Sequence, residues 1–431
     1  MASSIARLDN VENGILTTSR AGRRLCRKLL LGKLAGLRHG SLRLIEGAGE
    51  GADFGAADAP GQSGAELRSL LQVHDDLLYP KVVFGGAIGA AEAYIAGAWS
   101  TDDLVRLQRL FLRNRETLEG LDRGFGRLSK PFHLLAQLLR ANSRTGSRRN
   151  IEAHYDLSNE FFSLFLDSRR MYSSAVYPTA GSSLEEAQET KLDRLCRKLE
   201  LAPADHLLEI GTGWGGFAIF AASRYGCRVT TTTISREQFQ YARAQVREAG
   251  LEERVTVLLE DYRDLRGNFD KLVSIEMIEA VGHEYLDGFF RVCADRLAPH
   301  GLMALQAITI ADRHYAAARR SVDFIQRYVF PGSAIPSYGS LAAAIGRTGD
   351  LQVVHVEDIG PHYATTLREW RRRFLAQKGA VKALGFSERF VRLWEYYLCY
   401  CEAGFLERAT GDLQLVLAKS ENRSAPLLGA L

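Results

Sequence analysis

The 431-residue sequence has few cysteines and none of the spacings that commonly pair them. The six cysteines show no C-x-x-C pair and no regular framework; they lie at positions 26, 196, 227, 293, 399 and 401. This usage is typical of reduced thiols in a cytosolic protein. His154, His283 and His362 lie in separate segments, without the paired spacing of metal ligands. We therefore expect neither a disulfide framework nor a metal site.

Long uncharged apolar runs are also missing. No run reaches the roughly 18 residues of a membrane-spanning helix. The nearest, residues 84–101, is rich in Gly and Ala and is interrupted by Glu92. The N-terminal residues contain no apolar segment of the secretory type. We expect a cytoplasmic protein whose membrane contact, if it has any, is peripheral.

Acidic residues are absent from one basic stretch near the N-terminus. Eight Lys and Arg residues and no acid lie between Arg20 and Arg43, and a second basic cluster comprises Arg140, Arg144, Arg148 and Arg149. Such segments bind nucleic acid or anionic lipid, or serve solubility. No nucleic-acid motif accompanies them. We expect no nucleic-acid partner and keep anionic lipid and solubility as alternatives.

Composition divides the chain into four parts. Residues 1–65 form a basic helical arm followed by a flexible loop rich in Gly, Ala and Asp. Residues 66–141 form a small domain, either an ordinary helical one or one that contacts lipid. A polar connector at 142–150 precedes the main domain, residues 150–418, and residues 419–431 form a tail.

The main domain alternates between helical and strand-like patterns. Helices are predicted at 185–200, 215–225, 235–249 and 284–297, and strands at 206–210, 227–234, 254–259, 270–275 and 301–308. After residue 308 the pattern turns helical and aromatic. This alternation predicts an α/β, Rossmann-like domain with a mainly parallel sheet and a ligand at the carboxyl ends of its strands.

A glycine-rich turn follows the first of these strands. Gly211, Gly213 and Gly215 separate the strand from a helical segment, where the lack of a Cβ lets the backbone approach a ligand. Such turns also serve plain packing or bind dinucleotides. A dinucleotide site needs an acid about 20 residues further on. The second strand ends in threonines, with Gln238 one turn later. This favours S-adenosylmethionine over NAD.

Several short strings then occur in order: HYDLSNEFF, MYSSAVY, LLEIGTGWGG, TISREQ, EDYRDL, VSIEMIEAVG, YVFPG, YATTLREW and YYLCYCEAGF. Together they resemble the cyclopropane-fatty-acyl-phospholipid synthase family, which includes the mycolic acid cyclopropane synthases. The resemblance covers residues 150–418 and, more weakly, 66–115. It implies a class I methyltransferase fold and transfer of a methyl group from S-adenosylmethionine to the cis double bond of an acyl chain in phospholipid.

The resemblance assigns cofactor contacts to residues that end or follow predicted strands, or precede the first of them. They are Tyr172, Ser173, Glu209, Gly211, Gly213, Gly215, Thr233, Gln238, Asp261, Tyr262 and Arg263. Gln238 takes the place of the missing ribose-binding acid. The family also forms homodimers and works at the membrane surface, so we expect a homodimer that is peripheral to the inner face of the membrane.

The resemblance further places a bicarbonate ion, the family's base, among five residues of this chain: Ser174, Glu279, Gln306, Ile308 (through its backbone) and Tyr363. Two of them depart from the family, since Ser174 replaces a cysteine and Gln306 replaces a histidine. Neither offers a cationic or titrating group, and the match to a bicarbonate site is therefore incomplete. A weakened base would favour a methyl- or methylene-branched product over a cyclopropane ring. Glu279, if buried, could itself act as a base.

Cys401 matches a cysteine that is often marked as catalytic in the family. Methyl transfer to an alkene needs no covalent step, so we expect this cysteine to line or pack the pocket. Two other functions stay open: an amine N-methyltransferase of the same fold and a non-catalytic lipid-binding protein. Lipid methylation is the function that the resemblance favours.

Overall fold

The computed structural model describes residues 19–47, 49–55, 67–118 and 158–425. These residues form two compact units, each built from separate stretches of chain. The first unit contains the described residues up to 118 together with 320–329 and 370–409, and the second contains 158–319, 330–369 and 410–425. The second basic cluster, the connector at 142–150 and His154 lie outside the described residues.

The regular elements of the described residues are numbered here in chain order. The helices are α1 (Arg20–Leu34), α2 (Leu78–Ile95), α3 (Leu104–Arg113), α4 (Asn159–Ser163), α5 (Leu184–Lys198), α6 (Gly216–Tyr225), α7 (Arg236–Glu248), α8 (Leu286–Arg296), α9 (Asp312–Ala318), α10 (Tyr338–Thr348), α11 (Gly360–Ala376), α12 (Lys378–Ala383) and α13 (Glu388–Leu406). The strands are β1 (Ser41–Glu46), β2 (Ala52–Gly55), β3 (Arg68–Val73), β4 (Trp99–Thr101), β5 (His206–Ile210), β6 (Arg228–Thr233), β7 (Val255–Leu259), β8 (Phe269–Ile275), β9 (Leu297–Ile310), β10 (Leu351–Asp358) and β11 (Thr410–Lys419).

The first unit contains a small mixed sheet and several helices. In the sequence, α1 precedes the first strand, α2 lies between β3 and β4, and the other helices of the unit follow β4. The sheet has the order β2-β1-β3-β4, in which β1 and β3 are parallel and the other pairs are antiparallel. The prediction of a flexible loop before residue 65 is therefore wrong for Ala52–Gly55. Phe54 of β2 pairs with Leu42 of β1. This pairing provides hydrogen-bond partners for backbone N–H and C=O groups of the glycine-rich segment, which therefore forms a strand.

The second unit is built on a seven-stranded sheet with the order β10-β11-β9-β8-β5-β6-β7. β11 runs antiparallel to β9 and β10, and the remaining neighbours are parallel. This confirms the α/β class and the mainly parallel sheet. The prediction that the chain becomes helical after residue 308 missed β10 and β11. Both pair antiparallel at one side of the sheet, so no helix-strand alternation marks them.

Alternate residues of the central strands face two separate cores. Leu208, Leu272 and Leu305 face the helices α8 and α10. Leu207 and Val273 face α5 and α6. Strands buried on both faces favour apolar residues on each, and this explains Leu207, Leu208 and Ile210 in β5, which Glu209 alone interrupts. The carboxyl ends of β5, β6, β7, β8 and β9 meet at one edge of this sheet, where most of the polar residues discussed below lie.

Helix α5 starts with a reciprocal hydrogen-bond arrangement. The Ser183 side chain accepts from the Glu186 amide, and the Glu186 carboxylate accepts from the Ser183 amide. This capping box fixes where the helix begins. It thereby sets the inward positions of Lys191 and Lys198, two lysines that are almost wholly buried in the second unit. Buried lysines need partners, and both have them at the site described next.

Candidate active site

The glycine turn after β5 is the part of the site that is formed by backbone atoms. Gly211, Gly213 and Gly215 have φ values of +106°, +53° and +89°, a region that residues with a side chain rarely adopt. A Cβ added to Gly211 would lie 3.2 Å from the Met277 side chain, whereas one added to Gly213 would meet nothing within 4 Å. The turn is therefore packed on one side and open above Gly213.

The next two strand ends bring polar side chains to the same edge. After β6, the Thr233 hydroxyl donates to Gln238 Oε1 at 2.9 Å, which leaves the Gln238 amide nitrogen for another partner. After β7, Arg263 donates from Nε and Nη2 to Asp261 at 2.8 and 2.6 Å. The Tyr262 ring packs edge-on against Phe289. The Arg263 guanidinium is therefore held in place by Asp261.

Tyr172 and Ser173 lie in the segment before α5. The Tyr172 ring packs against Phe162 and stacks on Phe330, with centroids 5.3 and 6.1 Å apart. Ser173 is 3% exposed, and its hydroxyl accepts a hydrogen bond from Lys191 Nζ at 2.7 Å. Burial lowers the pKa of Lys191 to about 8. Ser173 is thus part of the buried polar network rather than of the surface.

Glu209 lies inside the sheet, one residue before the end of β5. Its carboxylate accepts from the Thr231 hydroxyl at 2.6 Å, and Thr231 also bonds to the Thr212 hydroxyl. Burial raises the pKa of Glu209 to about 8. Its carboxylate is therefore bound by β6, and it reaches the glycine turn only through Thr231.

A cluster of buried acids lies beside this turn, and the sequence prediction contained only one of its members. Glu279 was predicted, whereas Glu276 and Asp412 were missed. Asp412 is fully buried, Glu279 is 9% exposed and Glu276 is partly buried. Burial raises the pKa of each of them. Glu276 could have been predicted from the sequence, since it directly follows β8 in the string VSIEMIEAVG. Asp412 could not have been, because its strand β11 was not predicted.

The carboxylate of Glu276 collects hydrogen bonds from three separate segments. Its Oε1 accepts from the Ser174 amide at 2.8 Å and from Gln306 Nε2 at 2.7 Å. Its Oε2 accepts from the Tyr363 hydroxyl at 2.7 Å. Ser174, Gln306 and Tyr363, all predicted site residues, are therefore brought together, and they meet at a side chain that had not been predicted.

A second set of contacts fixes the orientation of Gln306. The Gln414 amide nitrogen donates to Gln306 Oε1 at 2.9 Å, and Lys198 Nζ donates to Gln414 Oε1 at 2.6 Å. Since Lys198 can only donate, this chain leaves the Gln306 amide nitrogen facing Glu276. The same nitrogen lies 3.3 Å from Asp412 Oδ2. Lys198 and Gln414 are therefore positioning residues for the acid cluster.

Glu279 has a different environment from Glu276. Its Oε1 accepts from the Ile308 amide at 2.5 Å, and its Oε2 has no hydrogen-bond partner among the described residues. Burial and the nearby charge of Glu276 raise the pKa of Glu279 to about 8. Burial also raises the pKa of Asp412 far above its usual range. Burial raises the pKa of Glu276 too, but the hydrogen bonds that it accepts from Ser174, Tyr363 and Gln306 oppose the rise. We therefore expect Glu279 and Asp412 to be protonated before Glu276.

The residues present do not fit a bicarbonate ion. The Ser174 amide, Gln306 Nε2 and the Tyr363 hydroxyl donate to Glu276, and the Ile308 amide donates to Glu279. The Ser174 hydroxyl donates to the Ala175 carbonyl. Protein carboxylates therefore already use the donors that the resemblance assigns to bicarbonate, and an added anion would meet like charge.

Cys401 belongs to the first unit, on α13, whereas the residues above belong to the second. Burial, with a smaller contribution from Asp323, raises the pKa of its thiol. A protonated thiol is a poor nucleophile. The role of Cys401 as a pocket-lining or packing residue stays a prediction.

The histidines singled out in the sequence have ordinary partners where they are described. His283 Nδ1 bonds to the Tyr315 hydroxyl at 3.0 Å, and His362 Nδ1 accepts from the Tyr177 amide at 3.2 Å. Within the described ranges, no group of His, Cys, Asp and Glu side chains has the geometry of a metal site. In those ranges, too, no helix combines the length and the apolar character that crossing a membrane requires.

Comparison with known proteins places this geometry in a family. The family described as mycolic acid cyclopropane synthetase matches residues 142–415. Tuberculostearic acid methyltransferase of Mycobacterium tuberculosis is 39% identical over 85% of this chain and 85% of its own length. Cyclopropane-fatty-acyl-phospholipid synthase of Escherichia coli K12 is 36% identical over 80% of this chain and 86% of its own.

Solved structures agree with these relatives. The cyclopropane synthase MmaA2 of Mycobacterium tuberculosis is 31% identical, with a TM-score of 0.59 over 63% of this chain and 98% of its own. The mycolic acid cyclopropane synthase CmaA1, solved with S-adenosylhomocysteine, is 32% identical, with the same TM-score and coverage. Coclaurine N-methyltransferase, at 21% identity, shares the fold. The suspected family is confirmed: the chain is a methyltransferase that belongs to the mycolic acid cyclopropane synthetase family.

Proposed function

We propose that this enzyme methylates the cis double bond of an unsaturated acyl chain in phospholipid. One observation carries the proposal: an open glycine turn and a cluster of three acids, two of them buried and one partly buried, share one edge of the seven-stranded sheet. Methylation of an alkene creates a carbocation that must lose a proton. A base for that proton has to work away from bulk water, and the buried acids meet this need.

S-adenosylmethionine is the cofactor, and the residues at the sheet edge fit it. The open space above Gly213 would take its methionine and ribose portions, the free amide nitrogen of Gln238 would bind a ribose hydroxyl, and the ordered Asp261–Arg263 pair would border the adenine. When bound, the cofactor supplies an electrophilic methyl group. Tyr172 and Ser173 would complete the site from the segment before α5.

The names of the relatives support a lipid acyl chain as the substrate. A probable fatty acid methyltransferase of Pseudomonas putida is 38% identical over 65% of this chain and 71% of its own length. The relatives include both cyclopropane synthases and proteins named only as methyltransferases. The proposed reaction class therefore includes both a cyclopropane and a methyl- or methylene-branched chain as products. Which one forms depends on the carbon that loses the proton in the last step.

Helix α1 offers a surface for the bilayer that holds such a substrate. Leu25 and Leu29 are 59% and 42% exposed, which is unusual for leucine on a packed helix. Arg24 and Lys28 are exposed beside them, whereas Arg27 is paired with Glu46. Apolar side chains flanked by basic ones suit an anionic membrane surface. We infer peripheral binding through this face; a homodimer stays a proposal from the family.

The test uses purified protein, vesicles of cis-monounsaturated phospholipid and S-adenosylmethionine whose methyl group carries three deuterium atoms. Retention of two deuterium atoms in the product means that the new methyl lost the proton, and retention of three means that a neighbouring carbon lost it. Mild hydrogenation then separates a ring, which resists it, from an alkene, which takes up hydrogen. Vesicles of saturated phospholipid are the matched control.

The proposal predicts deuterated acyl chains from the unsaturated vesicles only, with release of S-adenosylhomocysteine. Label in an added amine, with none in any acyl chain, would contradict it and support the N-methyltransferase alternative. Binding to the vesicles without binding of S-adenosylhomocysteine and without any transfer would instead support a non-catalytic lipid-binding protein.

A further inference from the structure

We propose that the carboxylate of Glu276 stands where the family holds bicarbonate and is the base that accepts the proton released after methyl transfer. The inference rests on the proposed function, which supplies that proton. It assigns the base to a residue of this chain and predicts an enzyme that works without bicarbonate. Its evidence is the disagreement between the donors present and the ion that the resemblance implies.

The hydrogen bonds around Glu276 form an anion site whose occupant is already present. The Ser174 amide, Gln306 Nε2 and the Tyr363 hydroxyl converge on its two oxygens from 2.7 to 2.8 Å. Donors from three separate segments match what a small carboxylate ion would need. The side chain supplies the carboxylate covalently, so this site needs no free ion to fill it.

The backbone at Glu276 supports a functional reason for a carboxyl group there. Its φ is +48°, in the left-handed region, where a residue with a Cβ is strained relative to glycine. Glycine would relieve that strain, yet the chain has a glutamate whose buried carboxylate also loses its hydration. A side chain held against both costs is typical of a functional position.

The position of Glu276 places it next to the cofactor segments. The following residue, Met277, is the one against which Gly211 packs. The Ser274 hydroxyl donates to the Ile210 carbonyl at 2.9 Å and ties the end of β8 to the glycine turn. The Ser174 amide that binds Glu276 directly follows Ser173, a predicted cofactor contact. The carboxylate therefore adjoins the segments that would surround the transferred methyl group.

The arrangement of donors also selects which acid is ionised. Glu276 has three donors besides Asp412. The Asp412 carboxyl has a long contact from the same Gln306 nitrogen at 3.3 Å and a hydrogen bond with Glu276 that raises its pKa, and its Oδ1 has no partner in the described parts of the chain. Hydrogen bonds to a carboxylate favour its charged form. The shared proton of this pair thus resides on Asp412, and Glu276 is free to accept another.

The proposed step balances as follows. The alkene π pair forms a bond to the methyl carbon, the bond from that carbon to sulfur breaks, and its electron pair stays on sulfur, which yields S-adenosylhomocysteine and a substrate carbocation. A C–H bond next to the cation, or on the new methyl, then breaks. Its electron pair closes the ring or forms a double bond, and the proton passes to a Glu276 oxygen.

The experiment measures turnover on unsaturated phospholipid vesicles in carbon-dioxide-free buffer, with and without added bicarbonate. The wild-type enzyme is expected to be equally active in both. Glu276→Gln keeps the size and an acceptor oxygen but cannot take the proton, so turnover should fall by about 100-fold or more. Its affinity for S-adenosylhomocysteine, measured by calorimetry, should stay unchanged, which separates a lost base from a lost fold.

Glu276→Gly is the second variant, and it tests the anion site directly. It removes the backbone cost and frees all three donors. It should be inactive in carbon-dioxide-free buffer and regain turnover as bicarbonate is added. Glu253→Gln, at an exposed glutamate before the amino end of β7, is the matched control and should behave as the wild type does.

The outcomes separate this inference from the proposed function. A wild-type enzyme that modifies no lipid under any condition refutes the proposed function. An active wild-type enzyme that needs bicarbonate, or a fully active Glu276→Gln protein, refutes the assignment of the base. An inactive Glu276→Gly protein that binds S-adenosylhomocysteine but gains nothing from bicarbonate refutes the assignment of an anion site.

Discussion

Glu279 is a buried acid whose protonation should make stability depend on pH. Its pKa of about 8 in the folded chain exceeds the ordinary value of 4.5, so between these values the folded state binds a proton that the unfolded state has released. Its contribution to stability is complete below pH 4.5 and is lost as pH rises through 8. Each such group changes the free energy of unfolding by up to about 1.4 kcal/mol per pH unit.

Glu279→Gln removes this titration, and the comparison with wild type reports Glu279 together with its coupling to the nearby Glu276. We expect the free energy of unfolding of the variant, relative to wild type, to increase between pH 5 and pH 8, as measured by urea denaturation at several pH values. Glu253→Gln, whose side chain is exposed, should show a constant difference. A constant difference for Glu279→Gln as well would show that this carboxyl is ionised in the folded protein.

Substitution of Gly213 by alanine tests the cofactor site by adding one carbon atom, the Cβ. An added Cβ would enter the open space above the turn, where the cofactor is expected, at a backbone φ of +53°. Gly250 has a similar φ of +65° and equally open surroundings, but it follows α7 away from the turn. Both Gly→Ala variants should therefore lose a similar 1–2 kcal/mol, roughly, of folding free energy.

Only Gly213→Ala should also lose affinity for S-adenosylhomocysteine, by about 10-fold or more if one or more contacts of about 1.4 kcal/mol are lost. Isothermal titration calorimetry on both variants measures the difference. If the two variants bind equally well, the space above Gly213 is not the cofactor site.

At the scale of elements, helix α1 carries the prediction about membranes. Its exposed face combines Leu25, Leu29, Arg24 and Lys28. Near an anionic bilayer each basic residue contributes about 1 kcal/mol, so Arg24→Gln with Lys28→Gln should weaken binding to anionic vesicles by about 30-fold. Binding to zwitterionic vesicles should change little, whereas Leu25→Ser with Leu29→Ser should weaken binding to both, as measured by sedimentation with vesicles.

The double variant Arg224→Gln with Arg266→Gln is the charge-matched control, since both arginines are exposed in the second unit. It should bind vesicles as the wild type does. An equal loss in the control would mean that net charge, rather than the α1 face, attracts the protein to anionic lipid.

A comparison of the predicted and observed strands shows which elements could be predicted from the sequence. β5 to β9 were predicted within a few residues because apolar runs alternated with helical periods and a glycine turn marked the first crossover. β10 and β11 escaped because they form an antiparallel pair between helical segments. Missing β11 meant missing Asp412 and Gln414, which lie beside Ile308 and Gln306 on the neighbouring strand β9. Periodicity locates elements, but a buried polar network depends on which strands become neighbours.

At the scale of the whole molecule, the family match and the compact units divide the chain differently. The match runs from 142 to 415, yet residues 370–409 within it belong to the first unit with residues 19–118. In that unit, Arg392 of α13 donates to the Tyr94 and Trp99 carbonyls at 2.6 and 3.1 Å and covers the Tyr94 ring. Residues near the N-terminus therefore complete the packing of a C-terminal helix.

A chain that begins at residue 142 should consequently expose part of α13. Glu407 would lose Arg109 and Arg113, which lie 2.7 and 2.6 Å from its carboxylate, and Tyr396 would lose its contact with Tyr94. Removing the partners of a largely buried carboxylate leaves an uncompensated charge as well as bared aromatic rings. We expect the truncated protein to bind the dye ANS and to aggregate, as judged by fluorescence and light scattering, and co-expression with residues 1–141 to restore solubility. A truncated protein that stays monomeric and dye-free would mean that α13 packs stably without the N-terminal residues, and that the boundary of the family match is also a boundary of folding.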